Sequence, residues 1–349
     1  MSHTTTLHTL TPEQLTLNIS AQQFSFVDTS ELIFADNKSA QYQAWIAQFE
    51  AKKAAEFGLS VKQAGFNLLA LGEPGTGRTS LMLSAMYEAA AQQVVPSDLI
   101  ALYQFDVSGK PLFLKLPAGV GTQLKLALDQ FVRQLAKELA SLLEAKVKEN
   151  SLAPIQAFLD VQLIAIQASV EPILSNSTTG EALKTYFALL QKDVLDYLEA
   201  WQPNASGDGD NNLDALLSES FFGRYRANVL VEHQPGQHAP VLYDNDPSLQ
   251  SLFGGIESAG DSSTAPDFMR LRAGNLLRAD GGTLLLHLRD ILADESSGSQ
   301  LLEKLHRFLR NGTLQIEDLS SSSSQGSGFV SAQAAIAVSV KLVLVATRE

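Results

Sequence analysis

From Gly65 to Leu71 the chain is an apolar run of strand length, GFNLLAL, which passes directly into GEPGTGRTS and then into a helical pattern from about Thr79 to Gln92. Few folds accommodate that order. Gly72, Gly75 and Gly77 let the backbone turn and present successive N–H groups, and the helix starting beside them adds its positive dipole end, so the segment is shaped to hold a phosphate. Gly72-Glu73-Pro74-Gly75-Thr76-Gly77-Arg78-Thr79-Ser80 matches the GxxxxGK[ST] spacing at every fixed position except the lysine, which is Arg78. In such loops the hydroxyl at the Thr79 position ligates Mg²⁺. The plain alternative is a glycine-rich turn without a ligand, but the strand-to-helix context favours a nucleotide. Arginine can bind phosphate bidentately without occupying the place of a lysine ammonium, so binding can survive this exchange while catalysis weakens. Glu73 occupies a variable loop position.

Further apolar strand candidates lie at 99–105, 112–116, 227–232, 283–288 and 341–346. Apolar strands spaced by helices predict an α/β fold with a mostly parallel sheet flanked by helices. A short strand is expected at 24–27 and a helix over 39–57, carried by Trp45, Phe49, Ala54 and Phe57.

The region from Thr122 to Trp201 has a different period. Leu124, Leu128, Phe131, Leu135, Leu139 and Leu142 step by four and three, as do Leu183, Phe187, Leu190, Val194, Tyr197 and Trp201. Pro154, Pro172 and Gly180 are expected to divide it into about three helices, closed by a polar loop at 203–212. A bundle packed on itself is the favoured reading; a contact arm for a substrate or neighbouring subunit is the sharper one. The chain thus divides into an N-terminal segment (1–57), a first part of the α/β domain (58–121), a large all-helical insertion (122–212) and a second part of the α/β domain (213–349). Ser320 to Gly328 form a low-complexity loop.

With 25 Lys and Arg against 38 Asp and Glu, the net charge is −13, and no basic cluster occurs. That argues against nucleic acid as a partner, because phosphate neutralisation needs grouped cations. No apolar run reaches the length of a membrane span, the N-terminus lacks a signal-peptide plan, and there are no cysteines, which together predict a soluble cytoplasmic protein.

A phosphate-loop ATPase needs a carboxylate at the end of a neighbouring strand to hold Mg²⁺, usually with a second that orients water. The segment Ala279-Asp280-Gly281-Gly282-Thr283-Leu284-Leu285-Leu286 resembles the approach to the Walker B acid pair of AAA+ ATPases, but His287 and Leu288 occupy the acid positions. Asp290, three residues beyond His287, is a substitute only if the strand ends late, and a surface carboxylate is its plainer role. His287 reads as a structural strand-end histidine, since no HExxH or second histidine accompanies it.

Ser251-Leu252-Phe253-Gly254 resembles the segment before the pore-facing loop of the same ATPases, and 267–279 resembles the helix between that loop and the Walker B strand. With Arg224-Tyr225-Arg226-Ala227-Asn228-Val229-Leu230-Val231 and Ala239-Pro240-Val241-Leu242-Tyr243, the order from about Gly58 onward is similar to the AAA+ half of Lon-like ATP-dependent proteases, in the branch with a GTGR phosphate loop and a long helical insertion. The resemblance implies ATP and Mg²⁺ as cofactors, a homo-oligomeric ring in the full-length protein, and ATP-driven unfolding of protein substrates for delivery to a Ser-Lys protease domain. No block like the one carrying that serine is present, and a lid after the final strand is absent, so the natural chain is expected to continue. Thr347 lies near the sensor 1 position, with Arg348 in place of the usual asparagine, and no Gly-Gln pair is visible at Asp36 to Ser39. Arg307 and Arg310 fall in the last turns of a helix ending near Asn311-Gly312, where they complement its dipole.

The resemblance thus predicts an ATP-binding module with weak or absent hydrolysis. A degenerate structural or assembly module that handles protein substrates is the alternative. A transcription-activating ATPase shares ADGGTL and LFG, but the GAFTGA loop of that class is missing.

Overall fold

The computed structural model describes residues 45, 48–63, 65–106, 110–149, 151–170, 178–200, 222–257, 266–292, 298–316 and 335–347. The strand expected at 24–27, Asp36 to Ser39, Pro172, the loops at 203–212 and 320–328, and Arg348 lie outside the described residues.

In chain order the elements are α1 (Phe49–Ser60), β1 (Leu68–Leu71), α2 (Arg78–Ala90), β2 (Asp98–Tyr103), β3 (Pro111–Leu116), α3 (Val120–Glu149), α4 (Ala153–Ser169) and α5 (Thr178–Ala200). They continue with β4 (Asn228–Val231), β5 (Val241–Asp244), α6 (Leu249–Phe253), β6 (Gly255–Ile256), a 3₁₀ turn at Asp267–Arg270, β7 (Leu271–Arg272), α7 (Asn275–Arg278) and β8 (Thr283–His287). The last are α8 (Leu288–Leu292), α9 (Gly298–Asn311), β9 (Thr313–Leu314), β10 (Ile336–Ala337) and β11 (Lys341–Ala346).

β1, β11, β8 and β5 form a parallel sheet in that order. The inner strands β11 and β8 read as apolar runs because helices cover both of their faces, whereas the edge strand β1 leaves Leu69 and Leu71 exposed. On one face Leu285, Val343 and Val345 meet Ala55 and Leu59 of α1 and Met82 and Met86 of α2. On the other, Leu284, Leu286 and Leu342 meet Leu276, Ile291, Leu301, Leu305 and Phe308. The expected architecture, a mostly parallel sheet flanked by helices, is therefore present, and it is consistent with an α/β AAA fold.

Three of the expected strands are not part of that sheet. β3, β2 and β4 make a separate antiparallel sheet in that order. The link from Tyr103 to Pro111 is too short for the dozen or more residues of a parallel crossover, so β2 and β3 pair as a hairpin. β2 still reads as a core strand because both of its faces are covered. Ile100 and Leu102 face the long helices, whereas Leu99 and Ala101 face the core beside the parallel sheet.

Among the described residues the helical region forms three helices. Pro154 marks the start of α4, in whose first turn its missing N–H costs nothing, and Gly180 is buried in the first turn of α5. The helices differ from the expected bundle in that they do not pack only on one another. Leu124, Leu128, Phe131 and Leu135 of α3 share one core with Leu159 of α4, Leu190 of α5 and the sheet residues Ile100, Leu102, Leu114 and Leu116. At about 1.5–3 kcal/mol for each fully buried side chain, that shared seam fixes the helices to the antiparallel sheet. Tyr225 anchors the return to β4: it is buried, and its hydroxyl donates to Asp193 Oδ2 on α5 at 2.7 Å.

Candidate functional site

The parallel register sets Leu71 level with Ala346, and Val345 level with His287. The loop after β1 and the end of β8 therefore open on the same edge of the sheet. This is where ligands bind in open α/β folds, beyond the carboxyl ends of the strands.

The loop is held by its own backbone. Gly72 N donates to Ala346 O at 3.2 Å, and Thr76 donates to Glu73 O through both its N (3.3 Å) and its Oγ1 (2.7 Å). Gly75 and Gly77 take the left-handed conformation, at φ 84° and 79°, which a side chain would oppose. Gly77 caps α2 without a side-chain bond, so the first N–H groups of that helix remain for a ligand. Glu73, Pro74, Gly75, Thr76 and Ser80 are exposed, while Gly72, Gly77, Arg78 and Thr79 are half-buried.

Arg78 turns back onto the protein. Its Nη1 donates to Gly72 O and, at 2.8 Å, to Ala346 O, so the guanidinium ties the start of the loop to the end of β11. Thr79, in the first turn of α2, reaches across the sheet edge: its Oγ1 lies 3.1 Å from His287 Nε2. The His287 ring in turn rests against Tyr243, with centroids 5.7 Å apart. Leu288 opens α8, and Asp290, in the first turn of α8, makes no hydrogen bond or ion pair among the described residues. The phosphate loop and the His287 position are thus brought together, while no carboxylate joins them through a hydrogen bond among the described residues.

Asp244, at the end of β5, is a strand-end acid that sequence reasoning passed over. It is buried and fully engaged, its Oδ1 accepting from Asp246 N (3.1 Å) and its Oδ2 from Ser251 Oγ (3.0 Å) and Asn275 Nδ2 (2.8 Å). The signal was available in Val241-Leu242-Tyr243-Asp244, an apolar run closed by an acid. The conspicuous Asp280 is also structural. It accepts from Lys115 Nζ at 2.5 Å and from Ser339 N at 2.7 Å, joining the two sheets.

Mg²⁺ takes oxygen ligands, commonly including a carboxylate, in a near-ideal octahedron. The donors that meet here are one hydroxyl and one imidazole, and Asp244 is occupied elsewhere. Among the described residues no group of three or more His, Asp or Glu could hold a metal ion. The loop fits a phosphate, but the donor set does not fit a carboxylate-held Mg²⁺.

A cavity of about 450 Å³ adjoins the loop, lined by Trp45, Phe57, Phe66 and Leu69 and reaching Thr76 and Arg78. Thr347 follows β11 level with Gly72. Farther away, Arg307 donates to Glu303 Oε1 at 2.9 Å one turn back on α9, which ends at Asn311 before Gly312. Arg310 lies in the last turn of that helix.

Residues 237–349 match the family model described as LonB-like, AAA domain. The matched span holds β5, β8 and β11 with His287, and it supports a Lon-like AAA ATPase; such domains bind nucleotide, usually with Mg²⁺, and commonly form rings that act on proteins. The phosphate loop and the long helices lie before it. No curated protein matches the chain. Among the described residues no helix is long and apolar enough to cross a membrane.

Proposed function

We propose that the chain binds ATP at residues 72–80 as the nucleotide-binding module of a Lon-like ATP-dependent protease, and that it hydrolyses ATP slowly or not at all. The carrying observation is the open loop itself, with Gly75 and Gly77 in the left-handed conformation and the uncapped N-terminus of α2 behind them. Phosphates would lie on those N–H groups, with the base in the cavity beside Trp45, Phe57 and Phe66, where ring stacking and apolar contact are available. Mg²⁺ accompanying the phosphates would meet the chain at the Thr79 hydroxyl. Hydrolysis would lack its usual carboxylates, because His287 and Leu288 occupy their positions.

In the full-length protein this module would sit in a homo-oligomeric ring, coupling nucleotide binding to the unfolding of protein substrates and their delivery to a protease domain. In this reading the long helices, rooted on the antiparallel sheet through Ile100, Leu102, Leu114 and Leu116, would be an accessory part of the module. Calorimetry with ATP tests the binding: heat that saturates at micromolar to millimolar nucleotide, and is lost in Thr79→Ala, is expected. No heat at millimolar ATP overturns it. Robust phosphate release abolished by Thr79→Ala would refute slow turnover. The His287 and Leu288 replacements also favour a second reading, a non-hydrolysing assembly module. That reading requires the same oligomeric state by sedimentation with and without nucleotide.

A further inference from the structure

We infer that Thr79 and His287 form a cation site that selects a late first-row divalent ion, such as Co²⁺ or Ni²⁺, over Mg²⁺ as the companion of the bound nucleotide. This rests on the nucleotide reading above and specifies which metal that site accepts. Thr79 Oγ1 and His287 Nε2 are 3.1 Å apart although 208 residues separate them in the chain. Two adjacent ligands of an octahedral ion with bonds of about 2.1 Å are separated by about 3 Å, the edge of the octahedron. The pair that shares a proton in the free protein is therefore already spaced to share a metal ion.

The chemistry of the pair sets the preference. Imidazole is a poor partner for Mg²⁺, which keeps oxygen ligands and sheds water reluctantly, but it binds the later first-row ions well, with affinity rising from Mn²⁺ through Co²⁺ to Ni²⁺. His287 can offer Nε2 as a lone-pair donor, since its Nδ1 makes no hydrogen bond among the described residues and is free to carry the ring proton. The Tyr243 ring, 5.7 Å away, backs the imidazole. The strand-end acid Asp244 does not compete, because both of its oxygens are engaged by Asp246, Ser251 and Asn275. With only two donors from the chain, phosphate oxygens and water must complete the shell, so the metal and the nucleotide bind together.

The test is ATP affinity by calorimetry with Mg²⁺, with Co²⁺, and in chelator, for the natural chain and for His287→Ala, His287→Phe and His287→Asp. The natural chain is expected to bind ATP at least tenfold more tightly with Co²⁺ than with Mg²⁺. That ratio should fall to near unity in His287→Ala and in His287→Phe, which keeps a ring against Tyr243 but has no nitrogen. It should invert in His287→Asp. The visible absorption of Co²⁺ in the ATP complex should change on binding and lose that change in both apolar variants. Equal Co²⁺-to-Mg²⁺ ratios in the natural chain and His287→Ala, with ATP bound by both and no spectral change, overturn the inference and leave the nucleotide reading standing. No binding under any condition overturns both.

Discussion

Replacing Asp98 with Asn should loosen the root of the long helices by about 2.5–4 kcal/mol, a large share of the roughly 5–15 kcal/mol typical of a folded domain. Asp98 opens β2 and is completely buried. Its Oδ2 accepts from Gly121 N at 2.9 Å, in the first turn of α3, and its Oδ1 from His233 N at 2.8 Å, just past β4. One carboxylate thus joins three elements and also faces the positive end of a 30-residue helix. Asparagine keeps the volume and one acceptor but turns an NH₂ group toward one of the two N–H donors. The lost charged hydrogen bond contributes about 1.5–3 kcal/mol, and leaving a buried N–H unsatisfied adds about 1 kcal/mol or more. Asp98→Ala frees both donors and should cost at least as much. Urea denaturation measures this as a lower midpoint at unchanged slope. Hydrogen exchange should show faster exchange at the Gly121 and His233 amides. A loss below 1 kcal/mol for both variants would refute the three-way role assigned to this carboxylate.

Other outcomes follow from the same geometry. Gly282→Ala should abolish stable folding, because an added Cβ would lie 2.1 Å from Pro240 O, and soluble expression with a thermal melt checks this. Arg78→Ala removes the bonds to Gly72 O and Ala346 O and should weaken ATP binding about tenfold by calorimetry, taking one charged hydrogen bond as the loss; unchanged affinity would show that the strut is dispensable. Burial pushes the Tyr186 and Tyr225 phenols well above their ordinary range. The unfolded chain therefore releases these protons first, and the stability they contribute is complete below about pH 10 and lost as pH rises from there toward the folded values. Tyr225→Phe should shrink that alkaline loss in denaturation curves taken between pH 9 and 11, roughly the range in which an unfolded tyrosine titrates.

The parts of this molecule that were legible in its sequence are those in which one short segment carries the whole pattern. The strand, loop and helix from Leu68 to Ala90 are contiguous, and the stripes of α3 and α5 repeat on single helices. What escaped depends on partners far away in sequence. β2 has the composition of a parallel core strand because it is covered on both sides, and only its hairpin to β3 reveals the antiparallel pairing. Thr79 and His287 are each conspicuous by position, yet their proximity follows from β11 entering between β1 and β8. Asp280 draws attention beside two glycines, but its bonds to Lys115 and Ser339 make it a joint between sheets. Asp244 closes a visible apolar run, but its engagement depends on Ser251 and Asn275, which come later in the chain.

The insertion of β11 between β1 and β8 also sets when the candidate site can exist during synthesis. Asn67, next to β1, accepts a hydrogen bond from Leu342 N, 275 residues downstream. At roughly 5–20 residues per second, the ribosome delivers that strand about ten seconds to a minute after the phosphate loop has emerged. Until then β1 lacks its neighbour in the sheet, and Leu71 has no Ala346 beside it. Nucleotide therefore cannot template the early stages of folding through this site. The newborn chain must carry an unpaired apolar strand edge, an invitation to aggregation, through most of its translation.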